Sequence, residues 1–300
     1  MEGVVNVLKP PGMTSSDVVT DVRRIFSMKR VGHTGTLDPG AAGVLPVCLG
    51  RATRLFDYLT DKQKEYYAEI SFGAETDTQD SYGAVVRHSD VRVKEEALRE
   101  TLIGFTGEQL QTVPLYAAVR VNGTPMYKLA RAGEAVEQKE RAITVHALEL
   151  LAQTGEDSFL LQVGCSRGTY VRALCSDIGR ALGACAHLSF LLRTRSGVFT
   201  LDNAFTLEEL RALKEENALA TAVTPPDTAL GDFPSLFLAE LGAREKRLLL
   251  NGASIACGRE FSQGELVKTY LDGSFLGLGK REEAGFHIFV FFTGDEPDGK

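Results

Sequence analysis

Three features of the sequence predict an α+β fold: amphipathic helical stretches of unequal length, strand-like segments interspersed among them without a regular βαβ repeat, and a C-terminal end built of strands. Residues 1–9 read as a buried first strand. Ser16 is a candidate N-cap for a helix whose Val18, Val19, Val22, Ile25 and Phe26 share one face and which ends in the basic run Met28-Lys29-Arg30. Residues 66–72 read as a strand, with Tyr66 and Tyr67 on opposite faces and either able to be core. Residues 95–105 form a helix that turns Leu98, Leu102 and Phe105 inward, and 144–151 and 159–165 are two more strands. The clearest helix is 170–182, with Val171, Leu174, Cys175, Ile178 and Leu182 at helical spacing and Gly183 as its stop. Pro225-Pro226 and Asp232-Phe233-Pro234 mark 222–235 as a linker or lid-like connection. Beyond it, 266–271 and 274–278 flank Asp272-Gly273, a dipeptide that supplies the positive φ angles of a type I′ hairpin turn, and 286–292 adds a strand. Two domains are expected, 1–235 and 236–300.

Composition narrows the function classes. A chain of 300 residues with 44% hydrophobic side chains and only ten prolines can fold around one large core and a smaller one. The N-terminus lacks both a basic flank and a long apolar run, so neither a signal peptide nor a membrane anchor is expected. The five cysteines are odd in number and include no C-x-x-C pair, which disfavours a disulfide framework and a zinc site and fits a reducing cytoplasm. Cys165, close in sequence to candidate site residues, reads as a small buried hydrophobe. The net charge of −7 argues against a nucleic-acid partner until its distribution is considered. Residues 1–56 carry seven Lys and Arg against four acids, and in 163–195 Arg167, Arg172, Arg180, Arg193 and Arg195 face only Asp177. Positive charge therefore travels with particular segments, as an RNA-docking face requires.

Those segments hold the chemistry. In Gly32-His33-Thr34-Gly35-Thr36-Leu37-Asp38-Pro39 the glycines permit close backbone approach, and Pro39 restricts Asp38 to extended geometry. An active-site loop and a well-satisfied surface turn both remain open for such a stretch alone. The chain lacks G-x-S-x-G, a Walker loop, H-E-x-x-H and a zinc-deaminase set, so hydrolase, NTPase and metal chemistry are poorly supported. What is left is one positioned carboxylate.

The loop, followed by Gly43-Val44-Leu45-Pro46 and Gly50-Arg51-Ala52-Thr53, resembles the GHTGxLDPxAxGxLPxxxGxAT signature of the TruB-type bacterial tRNA pseudouridine synthases. Lys9-Pro10-Pro11-Gly12-Met13-Thr14-Ser15 resembles the KPxGxTS segment of that family, and further blocks follow in order over about two-thirds of the chain. The resemblance implies a pseudouridine synthase catalytic domain over 1–235, with a mixed sheet, flanking helices and an RNA-clamping insertion at about 114–141. It also implies a small PUA-like RNA-binding domain over 236–300. The implied reaction isomerises uridine 55 in the T loop of tRNA by base flipping, with no cofactor and no metal. tRNA is the implied partner; no protein partner is indicated, and a monomer is expected.

By the same resemblance, Asp38 is the catalytic nucleophile. Arg172, in a segment similar to CSxGTYxR, pairs with it. Tyr66 stacks on the flipped base and is a candidate for taking the C5 proton, although a phenol of pKa near about 10 needs assistance to do so. His33 inserts where the flipped nucleotides leave; Tyr170 is a further candidate for packing beneath the base, with a core role equally open. Lys9 and Asp80, the latter in Thr76-Asp77-Thr78-Gln79-Asp80, belong to the RNA site, while Lys128, Arg131, Lys139 and Arg141 contact phosphates. The chain departs from the family pattern at Ala117 for Ser, Arg120 for Lys and Arg167 for Lys; positive charge survives, but Arg and Lys are not geometrically interchangeable. The alternative function is a non-catalytic, tRNA-refolding chaperone with the same fold.

Overall fold

The computed structural model describes residues 1–292 apart from 61, 118, 122, 135, 232, 258 and 259; the Arg120 side chain, and the part of the 236–300 domain beyond 292, lie outside the described residues. The largest sheet has ten strands, and eight of them run side by side in the order Val223–Thr224, Gly3–Lys9, Ala42–Leu49, Ala186–Ser196, Lys64–Phe72, Ser158–Cys165, Glu140–Gly155, Gly107–Thr112. Neighbours pair antiparallel except at one seam, where Ala42–Leu49 meets Ala186–Ser196 in parallel with Leu192 opposite Ala42 and Arg193 opposite Gly43. The helices Ser15–Phe26, Glu95–Gly104 and Val171–Ala181 lay their apolar faces on this sheet: Val18, Val22, Leu98, Leu102, Leu174 and Ile178 share one buried cluster with Val5, Ile70 and Leu161. Among the described residues, no helix is long and apolar enough to cross a membrane.

Local chemistry corrects the first helix boundary. The cap is Thr14 rather than Ser16, because Thr14 and Asp17 form a reciprocal capping box, Asp17 N–H donating to Thr14 Oγ1 (3.1 Å) and Thr14 N–H to Asp17 Oδ2 (2.9 Å). Ser15 is freed to turn inward. The segment 222–235 is not a linker: Val223–Thr224 extends the sheet beside Val4 and Val5, Pro226 opens a helical turn, and Leu230 is fully buried. Its prolines suit the first turn of a helix, where a missing N–H costs nothing.

Past that turn, Ser235–Leu238, Leu266–Leu271, Ser274–Glu282 and Gly285–Phe291 make a four-stranded sheet, with the helix Ala243–Leu250 packed through Leu249. Its hairpin turns at Asp272 (φ 48°) and Gly273 (φ 81°) with Leu271 opposite Ser274, the two-residue geometry that Asp-Gly favours. Leu278, Val290 and Phe292 from this unit join Val4, Val44, Cys48 and Leu55 in one buried cluster. Arg51 and Arg54 then donate to the Phe292 and Phe291 carbonyls, at 2.9 and 3.1 Å.

Candidate active site

The parallel seam builds the site. Immediately before its strand, the chain turns at Asp38, with Ala41 N–H donating to Asp38 O (3.0 Å). Across the seam stands Arg193, and on the next strand Tyr66 is opposite Arg193. Three neighbouring strands therefore bring Gly43, Arg193 and Tyr66 into one row. Gly43 has to be glycine: its φ is +112°, and a Cβ there would lie 2.2 Å from the Arg193 carbonyl oxygen. A bulge between Arg193 and Arg195 interrupts the register at this point, a device that re-aims side chains beside functional sites.

The loop is pinned from several sides. Ser15 Oγ donates to Leu37 O (3.0 Å) and accepts from Leu37 N (2.9 Å), Gly12 N–H reaches Pro39 O (2.8 Å), and Thr60 Oγ1 donates to Thr34 O (2.8 Å). Beneath it, the Lys9 ammonium donates to the carbonyls of Pro10, Pro39 and Ala41, so each of its three N–H groups meets an acceptor. Lys9 has no solvent-exposed surface, which corrects its assignment to RNA contact: it holds the loop from inside. Burial, reinforced by Arg193 and opposed by Asp38, lowers its pKa to about 8.

Above the loop, the Asp38 carboxylate is 41% exposed, while the arginine that holds it is buried at 5%. Arg172 Nε donates to Asp38 Oδ2 at 2.7 Å, Nη1 to Thr78 O at 2.7 Å and Nη2 to Tyr116 O at 3.3 Å, so the guanidinium plane is fixed on three sides. Asp80 approaches the same Nε at 3.8 Å and uses its other oxygen to accept from Thr78 Oγ1 (2.6 Å) and Tyr82 N–H (3.0 Å). Asp80 thus steadies Arg172 and its own loop.

Tyr66 faces inward and Tyr67 outward, as strand alternation demands. The Arg193 guanidinium lies near the Tyr66 phenol and favours its ionised form, yet burial outweighs that cation and raises the pKa to about 12. His33 is pushed the other way: burial first, and Arg193 second, lower its pKa below the usual histidine value, and Nδ1 accepts from Gly35 N–H (3.3 Å). Its ring is neutral at pH 7. Tyr170 precedes the Val171–Ala181 helix and is locked by buried Gln111, which donates to Tyr170 O (3.1 Å) and accepts from its N–H (2.8 Å).

Residues 23–171 match the family described as TruB family pseudouridylate synthase (N terminal domain), and residues 172–231 match the tRNA pseudouridylate synthase B C-terminal domain. The tRNA pseudouridine synthase B of Alkaliphilus oremlandii is 41% identical over 284 residues, covering 93% of each chain. That of Caldanaerobacter subterraneus subsp. tengcongensis is 45% identical, covering 94% of this chain and 96% of its own. This chain belongs to the TruB family. A solved H/ACA RNP bound to a substrate RNA containing 2′-deoxyuridine includes a chain with 28% identity and a TM-score of 0.74, matched over 97% of this chain and 85% of that one. Both family matches end before the four-stranded C-terminal sheet begins.

Set within that family, the remaining sequence expectations divide. Lys128, Arg131, Lys139 and Arg141 are exposed, and among the described residues no hydrogen bond joins them to Asp38. Arg141 borders an open cleft of about 940 Å³, lined also by Phe56, Thr60, Leu110, Arg167 and Gly168, which reaches the loop through Thr60. The expected basic face over 163–195 is not one surface. Arg172 and Arg193 are buried at 4% and 2%, Arg180 pairs with Glu75 and Asp177, and Arg195 pairs with Glu65. Arg193, counted from the sequence as part of a basic face, is instead an internal tie: Nε donates to Val44 O (2.6 Å) and Nη2 to Gly35 O (3.2 Å), joining the seam to the Asp38 loop. The alternation of buried Leu191 with Arg193 was the available signal, but the bulge between Leu188 and Phe190 hides its parity. Ala117 is buried at 1% in the place of the family serine, within a small apolar cluster that Tyr170 joins. Among the described residues no group of three or more His, Cys, Asp and Glu is placed to hold a metal, and all five cysteines are free thiols.

Proposed function

We propose that this member of the TruB family is the tRNA pseudouridine synthase that isomerises uridine 55 of the T loop, with Asp38 as nucleophile. The observation that carries the reading is the geometry at Asp38: a half-open carboxylate on a loop held by Lys9 and Ser15, oriented by a buried arginine at 2.7 Å. Attack by an anion requires both, since burial without a cation neutralises a carboxylate and exposure without a partner leaves it unoriented.

The reaction breaks the N1–C1′ glycosidic bond, turns the base, joins C5 to C1′ and releases the C5 proton, so atoms balance without an oxidant or reductant. Asp38 stabilises the detached fragment by bonding to it and leaves when C5–C1′ forms. Tyr66 packs against the extruded base. With its phenol near pKa 12, it accepts the C5 proton only with help from the Arg193 guanidinium beside it. Neutral His33 fills the stack that the uridine vacates, at an extrusion cost of roughly a few kcal/mol. The exposed cations Lys128, Arg131 and Arg141 hold phosphates of the T stem, Arg141 from the edge of the cleft. Residues 1–235 form the catalytic domain and 236–300 a PUA-like unit that adds RNA surface, the whole acting as a cytoplasmic monomer.

The test is tritium release from C5-labelled uridine in an unmodified tRNA transcript, with EDTA present, alongside filter binding. Release by wild type and none by Asp38→Ala, with equal RNA binding, supports the reading. A folded wild type that binds tRNA and releases nothing refutes it in favour of a refolding chaperone.

A further inference from the structure

Tyr82 is the most exposed aromatic side chain among the described residues, 75% open to solvent, and it stands against the catalytic loop. A Cβ built on Gly40 would lie 2.0 Å from its Cε2, 2.6 Å from Cζ and 2.9 Å from Cδ2, so one edge of the ring rests on the backbone two residues after Asp38. Glycine at 40 makes that contact possible. Position 40 is one that the family signature leaves open, and Tyr82 lies outside the motif ending at Asp80.

The turn that carries the ring is held in place. Tyr82 N–H donates to Asp80 Oδ1 (3.0 Å), Ser81 N–H to Leu188 O (3.0 Å) and Ala84 N–H to Asp77 Oδ1 (2.8 Å), and Asp77 N–H returns to Ala84 O (3.0 Å). Gly83 closes the turn so tightly that a Cβ would come 2.3 Å from Thr78 Oγ1. The backbone on both sides of Tyr82 is therefore fixed, through Asp80, to the arginine that holds Asp38. An aromatic left in water forgoes the stabilisation that burying it would give. Its surroundings select the ligand. Asp38, Asp77 and Asp80 repel a phosphate here, whereas an uncharged base face is indifferent to them and stacks on any aromatic ring.

We propose that Tyr82 is a stacking platform for a nucleobase of the opened tRNA loop, one neighbouring the extruded uridine. Extrusion leaves neighbouring bases without a stacking partner at the point where this ring is offered. The proposal rests on the tRNA-modifying reading of the Asp38 site.

A T-arm stem-loop carrying 2-aminopurine at each loop position next to the target uridine tests it, since stacking on tyrosine quenches that base. With wild type, one labelled position is quenched on binding. Tyr82→Leu restores its emission at least threefold and raises KM about tenfold with kcat changed less than threefold; Tyr82→Phe, which keeps the ring, keeps the quench. If no position depends on the ring, or KM rises without a change in emission, the proposal is overturned. Thermal melting of each variant checks the fold, which an exposed side chain barely supports. The titration reads binding without turnover, so a protein that quenches the probe but forms no pseudouridine refutes the catalytic reading and not this one.

Discussion

Lys9 makes alkaline stability a test of how the Asp38 loop is held. The side chain is wholly buried, with its ammonium on three carbonyls at 2.9, 3.2 and 2.6 Å. Desolvation is the largest influence on it and brings its pKa from 10.5 to about 8. In the unfolded chain the group titrates at its ordinary value, so between pH 8 and 10.5 the unfolded state binds more protons than the folded one and stability rises with pH. The full penalty, roughly 3 kcal/mol, applies well below pH 8, and most of it is relieved between pH 7 and 10. Lys9→Met abolishes that dependence and takes the ammonium from three carbonyls; Pro39 O keeps the Gly12 N–H, which leaves those of Pro10 and Ala41 short of a donor at about 1–3 kcal/mol each. Relief of the buried charge opposes this loss, and the net destabilisation at pH 7 is about 1 kcal/mol. Urea unfolding of both proteins at pH 7, 8, 9 and 10 isolates the effect, because every other alkaline titration is common to the pair. The stability gap should widen by roughly 2–3 kcal/mol over that range. A gap that stays constant or narrows would refute a buried ammonium beneath the loop.

Arg172→Lys keeps the charge but cannot serve Asp38, Thr78 and Tyr116 together; single-turnover tritium release should slow by about 100-fold with tRNA affinity within about threefold. A rate near wild type would show that guanidinium geometry is not required. Gly43→Ala places a Cβ 2.2 Å from Arg193 O at a φ of +112°, and urea titration should show a loss of about 3 kcal/mol. Burial raises the pKa of Cys48 and Cys175 to about 12 and of Cys165 to about 11, so at pH 8 these thiols, with buried Cys185, should resist a disulfide reagent until urea unfolds the chain. Prompt labelling of more than one thiol in the native protein contradicts that packing.

Local rules reached far into this protein. Helical spacing located Val18, Val22, Leu174 and Ile178 as core positions, and Asp272-Gly273 specified its hairpin, because period and turn chemistry are properties of adjacent residues. The loop around Asp38 was legible for the same reason: its glycines, its proline and its carboxylate lie within eight consecutive residues. The cap at Thr14 was within reach of sequence too, since the Thr-x-x-Asp box is itself a local pattern.

Long-range placement decided the rest. Lys9 and Arg193 read as surface cations because charge is normally solvated, and only the sheet order shows that both point under one loop, where backbone carbonyls replace water. Tyr82 and Gly40 are unremarkable apart and become a site only when the turn after Asp80 folds back over the loop. The sequence by itself located several of the helices and strands and the Asp38 loop, through interactions spanning a few residues. The tertiary structure alone decided which charges are buried, because desolvation is set by what packs around a group and not by its neighbours along the chain.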